Sequence, residues 1–230
     1  MSTEPIHRND EDPGGTEDAP RLRDYVTWHE AYRDPTSALS VRLRHVQRVI
    51  SDVYDRVPGP VRVLSSCAGQ GADLLGVLQE RPELRERTSG ALLELLPENC
   101  AVARERIAAL DVDLEVVEAD ASVSDAYAPY APADLVLLTG IMGNISGPDI
   151  ERLVRFAPAL CLPGGTVVWT RGAQEPDLGP EISRWFAEAG FEELAYLDRL
   201  EGTSMRVGVE RYAGEPVALE PGERLFTFFR

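Results

Sequence analysis

Apolar residues follow two rhythms along this chain, and the change falls at Val61. Ahead of it, Leu39, Leu43, Val46, Ile50, Val53 and Val57 recur at alternating spacings of four and three. Such spacing gathers them on one face of a helix, and Ser37 offers the side-chain oxygen that caps a helix start. "VPGP" at 57–60 then breaks the chain. From Val61 onward the apolar runs are short and continuous: "VRVL" (61–64), "ALLEL" (91–95), "LEVVEA" (114–119), "LVLL" (135–138) and "TVVW" (166–169). Bounded by turn residues and too short for core helices, they predict strands buried on both sides.

Helical faces lie between those runs. Cys100, Ala103, Ile107 and Leu110 form one, Ile150, Leu153, Val154 and Ala157 a second, and Ile182, Trp185, Phe186 and Ala189 a third. Strand alternating with helix predicts βαβ units and a parallel sheet. The end differs. "FEELAYLDRL" (191–200) and "MRVGVERYAG" (205–214) leave no room for a crossover helix and predict an antiparallel hairpin, with "RLFTFF" as an added edge strand. The fold class expected is α/β: a doubly wound, seven-stranded, mainly parallel sheet with a terminal antiparallel hairpin and an N-terminal helical cap. Residues 1–20 read as a disordered acidic tail, 21–57 as the cap and 58–230 as the Rossmann-like domain.

Composition narrows the chemistry. The 230 residues, 43% of them hydrophobic, suit one domain with a sizeable core. All 23 basic residues are Arg, which removes a P-loop lysine and a Schiff-base lysine. A formal net charge of −16 repels a nucleic-acid backbone and favours small neutral or cationic ligands. Cys67, Cys100 and Cys161 lack metal-ligand spacing, so no metal is expected. The polar opening "MSTEPIHRNDEDPGG" has no apolar segment of a secretory signal, and no run is long enough to span a membrane. A cytoplasmic location with no membrane partner is the expectation; oligomeric state is not readable.

In open α/β sheets ligands bind beyond the carboxyl ends of the strands, so the residues after each run carry the functional argument. Cys67-Ala68-Gly69-Gln70-Gly71 comes after the first strand; small residues there admit a ligand close to the backbone, or make a tight turn without one. Glu94 ends the second strand, with Pro97 three residues on. Its carboxylate can accept two ribose hydroxyls or cap a helix, and burial without a partner would be costly. Asp120 ends the third and can accept from an adenine amino group or, with Ser122, cap the next helix. After the fourth come Gly140, Gly143 and Gly147, with Pro148 and Asp149 opening a helix. Arg171 ends the fifth, as an anion ligand or a surface residue. Trp28, His29 and Tyr32 precede the first helix, as a lid or as packing.

Taken in order, these segments resemble the class I S-adenosylmethionine-dependent methyltransferases over roughly residues 61–212. "VLSSCAGQGADLL", "ALLELLPENCAVARERI", "LEVVEADAS", "ADLVLLTGIMGNIS" and "LPGGTVVWTR" are similar to that family's successive strand-end motifs. "GIMGNIS", together with the Trp-bearing N-terminal region, resembles a bacterial subgroup of these enzymes. The chain departs from the pattern at Ser65, where the family has an acidic residue, and at Cys67, where it has glycine. The resemblance implies S-adenosylmethionine as cofactor, with Cys67, Ala68, Gly69 and Gly71 on its methionine side. It implies Glu94 at the ribose, Asp120 and Ala121 at the adenine, Thr139 and Gly140 at the reacting centre, and Leu95 among the cofactor-binding residues. It implies in-line methyl transfer to a small-molecule acceptor, with Trp28, Asn144 and Arg171 as acceptor-binding candidates and His29 or Tyr32 as candidate base. The alternative is a non-catalytic cofactor-binding or partner-binding protein on the same fold. A nicotinamide-dependent oxidoreductase fits less well, because Leu74 stands where a dinucleotide fingerprint needs its third glycine.

Overall fold

A computed structural model describes residues 34–229. The chain enters on helix α1 (Ala38–Arg56), whose Ser37 side chain accepts the Ser40 amide as its N-cap. Val46, Ile50 and Val53 of the predicted face are buried. At the start of α1, Val41 and Arg42 are buried instead, and Leu39 and Leu43 are only half covered. Strand β1 (Val61–Ser66) is followed by α2 (Ala72–Glu80), β2 (Thr88–Glu94), α3 (Pro97–Leu110), β3 (Asp113–Glu118) and β4 (Ala133–Leu138). Then come α4 (Gly147–Leu160), β5 (Cys161–Gly172), α5 (Gly179–Glu188), β6 (Phe191–Leu197) and β7 (Met205–Tyr212).

The seven strands lie in the order β3-β2-β1-β4-β5-β7-β6. All neighbouring pairs are parallel except those of β7, which runs antiparallel to both β5 and β6. The expected terminal hairpin is present, with β7 inserted between β5 and β6. Strand β5 starts earlier than its "TVVW" centre predicts. Cys161 pairs with Ala133 and Thr166 with Leu135, so the intervening Leu162–Gly165 loops out at a register shift.

Helices cover both faces. On one, α1, α2 and α3 pack on Val61, Val63, Leu92, Leu135 and Leu137. On the other, α4 and α5 pack on Leu64, Leu93, Val136, Val167 and Trp169. Gly208 makes room for that indole: a Cβ there would lie 2.1 Å from Trp169 Cε2. Residues 38–56 therefore complete one of the two helical layers. The wider cap expected over 21–57 lies partly outside the described residues.

The β3–β4 crossover carries no α-helix, only the 3₁₀ turn Ser124–Tyr127. The gap is filled by the segment expected to be an edge strand. Leu225 and Phe226 are both fully buried, whereas a strand at a sheet edge would turn alternate residues inward. The segment makes only isolated bridges, Val123 with Arg224 and Ile145 with Phe228. Its amides and carbonyls pair with loops: Ser124 N–H to Glu223 O at 2.9 Å, Leu225 N–H to Ser122 O at 2.7 Å and Phe229 N–H to Asn144 O at 3.1 Å.

Candidate functional site

Strand β1 has β2 on one side and β4 on the other, and the chain leaves it toward helices on opposite faces. The carboxyl ends of β1 and β4 are thus the switch point at which open α/β sheets form their crevice. The predicted site residues that are described lie at or just beyond the carboxyl ends of β1 to β5. After Ser66 the turn passes through left-handed conformations at Cys67 (φ 51°), Gly69 (φ 56°) and Gly71 (φ 67°). Gly71 is needed twice over, because a Cβ would also lie 2.7 Å from Leu92 Cδ2. Cys67 holds the same kind of conformation with a side chain, at a cost of about 1–2 kcal/mol. Burial, and then the Glu94 carboxylate, push its thiol up to about 12, so it is a neutral packing group near pH 7.

Glu94 is only 7% exposed. Its Oε2 accepts the Gly69 amide at 2.7 Å and its Oε1 the Leu96 amide at 2.9 Å. Those bonds tie the β1 turn to the end of β2, and the Ala68 amide reinforces them on Leu93 O at 2.9 Å. A carboxylate has about four accepting positions, so roughly half remain for a ligand. Leu95 next to it is 59% exposed, a large apolar side chain left in water.

At the end of β3, Asp120 Oδ1 accepts the Ser122 amide at 2.9 Å, and Oδ2 lies 3.8 Å from Arg224 of the C-terminal segment. Ala121 is buried, and its carbonyl accepts the Tyr127 hydroxyl at 2.7 Å. Beyond β4, Thr139 donates to Asp73 Oδ2 at 2.7 Å, and the Gly140 amide donates to Thr170 Oγ1 at 2.8 Å. The glycine-rich loop beyond has side-chain donors on its carbonyls. Asn144 donates to Gly140 O at 2.7 Å, Gln174 to Gly143 O at 2.8 Å, and Arg171 to Met142 O. Arg171 is 5% exposed and also reaches Pro176 O, so its guanidinium joins the loops after β4 and β5. Ser146 then caps α4 on the Asp149 amide.

Sequence reasoning missed Asp73, Tyr127 and Arg42. Arg42 is 6% exposed, and its Nη1 lies 3.8 Å from where a Gly140 Cβ would stand. It falls three residues after Leu39 and four before Val46, so it shares the apolar face of α1, but its charge leaves it out of the run of apolar residues. Asp73 lies two residues past the last glycine and reads as an ordinary first-turn carboxylate. Trp28, His29 and Tyr32 lie outside the described residues.

A parallel five-strand array closed by a reversed strand, with a glycine turn after β1 and carboxylates ending β2 and near β3, is the fold of the class I S-adenosylmethionine-dependent methyltransferases. No family model matches the sequence, and no curated protein matches it. Solved structures do. An O-methyltransferase family protein from Burkholderia thailandensis superposes with a TM-score of 0.60 at 20% identity, over 84% of this chain and 60% of its own. The CurJ carbon methyltransferase gives 0.61 at 18% identity, over 83% of this chain and 59% of its own. The [4+2]-cyclase SpnF gives 0.55 at 15% identity, over 72% of this chain and 80% of its own. The chain thus spans about three fifths of the two methyltransferases' length. Among the described residues no helix is long and apolar enough to cross a membrane.

Proposed function

We propose that this chain is an S-adenosylmethionine-dependent methyltransferase that delivers a methyl group in line to a small-molecule acceptor. The observation that carries the reading is Glu94: a buried carboxylate at the end of β2, fixed by two amides and with accepting capacity to spare. Hydroxyls of a ribose suit that capacity. Leu95 beside it suits the face of a purine, and Asp120 suits an exocyclic amino group. The residues present therefore fit the cofactor.

When bound, S-adenosylmethionine supplies an electrophilic methyl group. The chain's part is to bind, orient and exclude water. Gly69 and Gly71 let the turn backbone approach the ligand. Thr139 and Gly140, anchored on Asp73 and Thr170, form the floor at which an acceptor would meet the methyl group. Such alignment can account for about 7–11 kcal/mol of a barrier. The loop held by Asn144, Gln174 and Arg171 supplies the acceptor-side wall. His29 or Tyr32 serves as base where the acceptor arrives protonated. The net charge of −16 favours a small acceptor over a polyanion.

Calorimetric titration of S-adenosylmethionine into wild type and Glu94→Ala tests this. Wild type binds, and the variant loses about 1.5–3 kcal/mol for each hydroxyl-to-carboxylate bond removed. Absence of binding by wild type, or equal binding by both, sinks the reading. A second reading, a cofactor-binding protein without methyl transfer, is favoured by Ser65 and Cys67 and by the likeness to a cyclase. Tight cofactor binding with no methyl release to any of a broad acceptor panel would select it.

A further inference from the structure

We propose that Asp73 is the anionic receptor for the ammonium group on the amino-acid arm of the cofactor, which rests on the methyltransferase reading above. Ser65 lies near the carboxyl end of β1, just before the crevice. It is 1% exposed, and its Oγ has no hydrogen-bond partner among the described residues. A buried hydroxyl left unsatisfied costs about 1–3 kcal/mol and marks a place where a polar partner belongs.

Side chains alternate along a strand, so the face Ser65 occupies can be read from its neighbours. Val61 and Val63 pack into the layer of α1, α2 and α3, and Ser65 continues that series. Ser65 pairs with Leu137 on β4, and Leu137 packs into the same layer. Thr139 is the next residue of that series. Asp73, in the first turn of α2, belongs to the same layer, and its Oδ2 accepts from Thr139 at 2.7 Å. The bond therefore crosses from the helix after β1 to the end of β4, over the switch-point crevice on the side to which Ser65 turns.

The rest of Asp73 has little to do. Its Oδ1 meets only the Leu74 amide, at 3.2 Å. No salt-bridge partner faces it among the described residues, and Arg106, which feels its charge, turns Nη1 to Gln70 O at 2.9 Å. A half-buried carboxylate at the crevice, on the same face of the sheet as an unsatisfied hydroxyl, accepts an ammonium well: the carboxylate supplies the charge, and Ser65 Oγ is a further acceptor on that side. The carboxylate that β1 lacks at Ser65 is delivered from the start of the next helix.

The test uses the full chain and two ligands that differ only in the arm. S-adenosylhomocysteine carries the ammonium and carboxylate; 5′-methylthioadenosine keeps the adenosine and sulfur without them. In calorimetric titrations Asp73→Asn weakens S-adenosylhomocysteine binding about ten- to a hundredfold and leaves 5′-methylthioadenosine binding unchanged, which also certifies the fold. Adding Ser65→Asp to Asp73→Asn restores part of the loss, for the first ligand alone. Should Asp73→Asn not fold, Asp73→Ser, which removes the charge and keeps a polar side chain, gives a loss with the same selectivity. Equal losses for both ligands, or none for either, overturn the assignment of Asp73 while leaving the proposed function standing. Failure of wild type to bind either ligand overturns both.

Discussion

The hydroxyls of Ser66 and Tyr127 stand 2.7 Å apart in the core, and Tyr127 in turn donates to the Ala121 carbonyl at 2.7 Å. One buried phenol thus joins the end of β1 to the turn after β3, two sides of the proposed cofactor site. Burial raises its ionisation far above the usual tyrosine range, so it stays a donor throughout. Tyr127→Phe removes no apolar volume but strands the Ser66 hydroxyl and the Ala121 carbonyl. Stability falls by about 1–3 kcal/mol, read as a lowered denaturant midpoint with unchanged slope. A midpoint equal to wild type would show that neither group depends on the phenol.

Cys67 holds its left-handed conformation against its own side chain. Glycine there relieves the strain of about 1–2 kcal/mol but adds about 0.4–1 kcal/mol of unfolded-chain entropy. Cys67→Gly is therefore slightly more stable than wild type or equal to it, and Cys67→Val, branched at Cβ, is clearly less stable. Equilibrium unfolding of the three proteins checks that ranking, and a valine variant as stable as the glycine one would contradict it.

The same cysteine is partly buried, and its thiol is held in the protonated form. With its thiol pushed up to about 12 by burial and by Glu94, the thiolate is a minute fraction at pH 8. Cys161 is raised further by burial, and Cys100 is raised chiefly by burial. A thiol-specific disulfide reagent should label the native protein slowly and all three cysteines quickly in denaturant. Glu94→Gln should speed labelling at Cys67 and, less, at the fully buried Cys100, whose thiol Glu94 also raises, and leave Cys161 unchanged, as mass spectrometry of the labelled peptides would reveal.

Strand ends were legible in the sequence because a parallel sheet buried on both faces needs continuous apolar runs. Leu135, Leu137 and Val167 betray their strands however the loops vary. The cap at Ser37 and the helix start at Ser146-Gly147-Pro148 were legible for a local reason: one side chain and one ring set the backbone there. Glu94 was legible because a carboxylate inside "ALLELL" needs a partner. What was not legible depends on distant segments meeting. Asp73 matters through Thr139, Tyr127 through Ser66, and Arg42 through Gly140, each more than sixty residues away in sequence or nearly a hundred. "RLFTFF" has the composition of a strand, but the missing β3–β4 helix left it a core to fill instead of an edge to join.

Glu210 ties stability to pH. It lies on β7 at 1% exposure, with Oε1 accepting the Trp169 indole N–H at 3.1 Å. Burial first, and then nearby Glu193, raise its carboxyl from 4.5 to about 7, against the indole bond that lowers it. The folded state holds this proton at pH values where the unfolded chain has released it. The contribution of Glu210 is therefore full below about pH 4.5, falls as pH rises toward 7, and levels off above. At about 1.36 kcal/mol per unit, a rise from 4.5 to about 7 makes the fall a little over 3 kcal/mol. Glu210→Gln keeps a neutral partner for the indole. The difference in unfolding free energy between variant and wild type should be near zero at pH 4.5 and favour the variant at pH 8. A difference independent of pH would refute the account.

The segment around Leu225 and Phe226 lets one end of the described chain shape the middle of it. All seven strands precede it, yet the Ser122–Ser124 turn and the Asn144 loop are completed only where Glu223, Leu225 and Phe229 lie against them. A lesion confined to those last residues would spare every strand pairing and still disturb two loops far away along the chain.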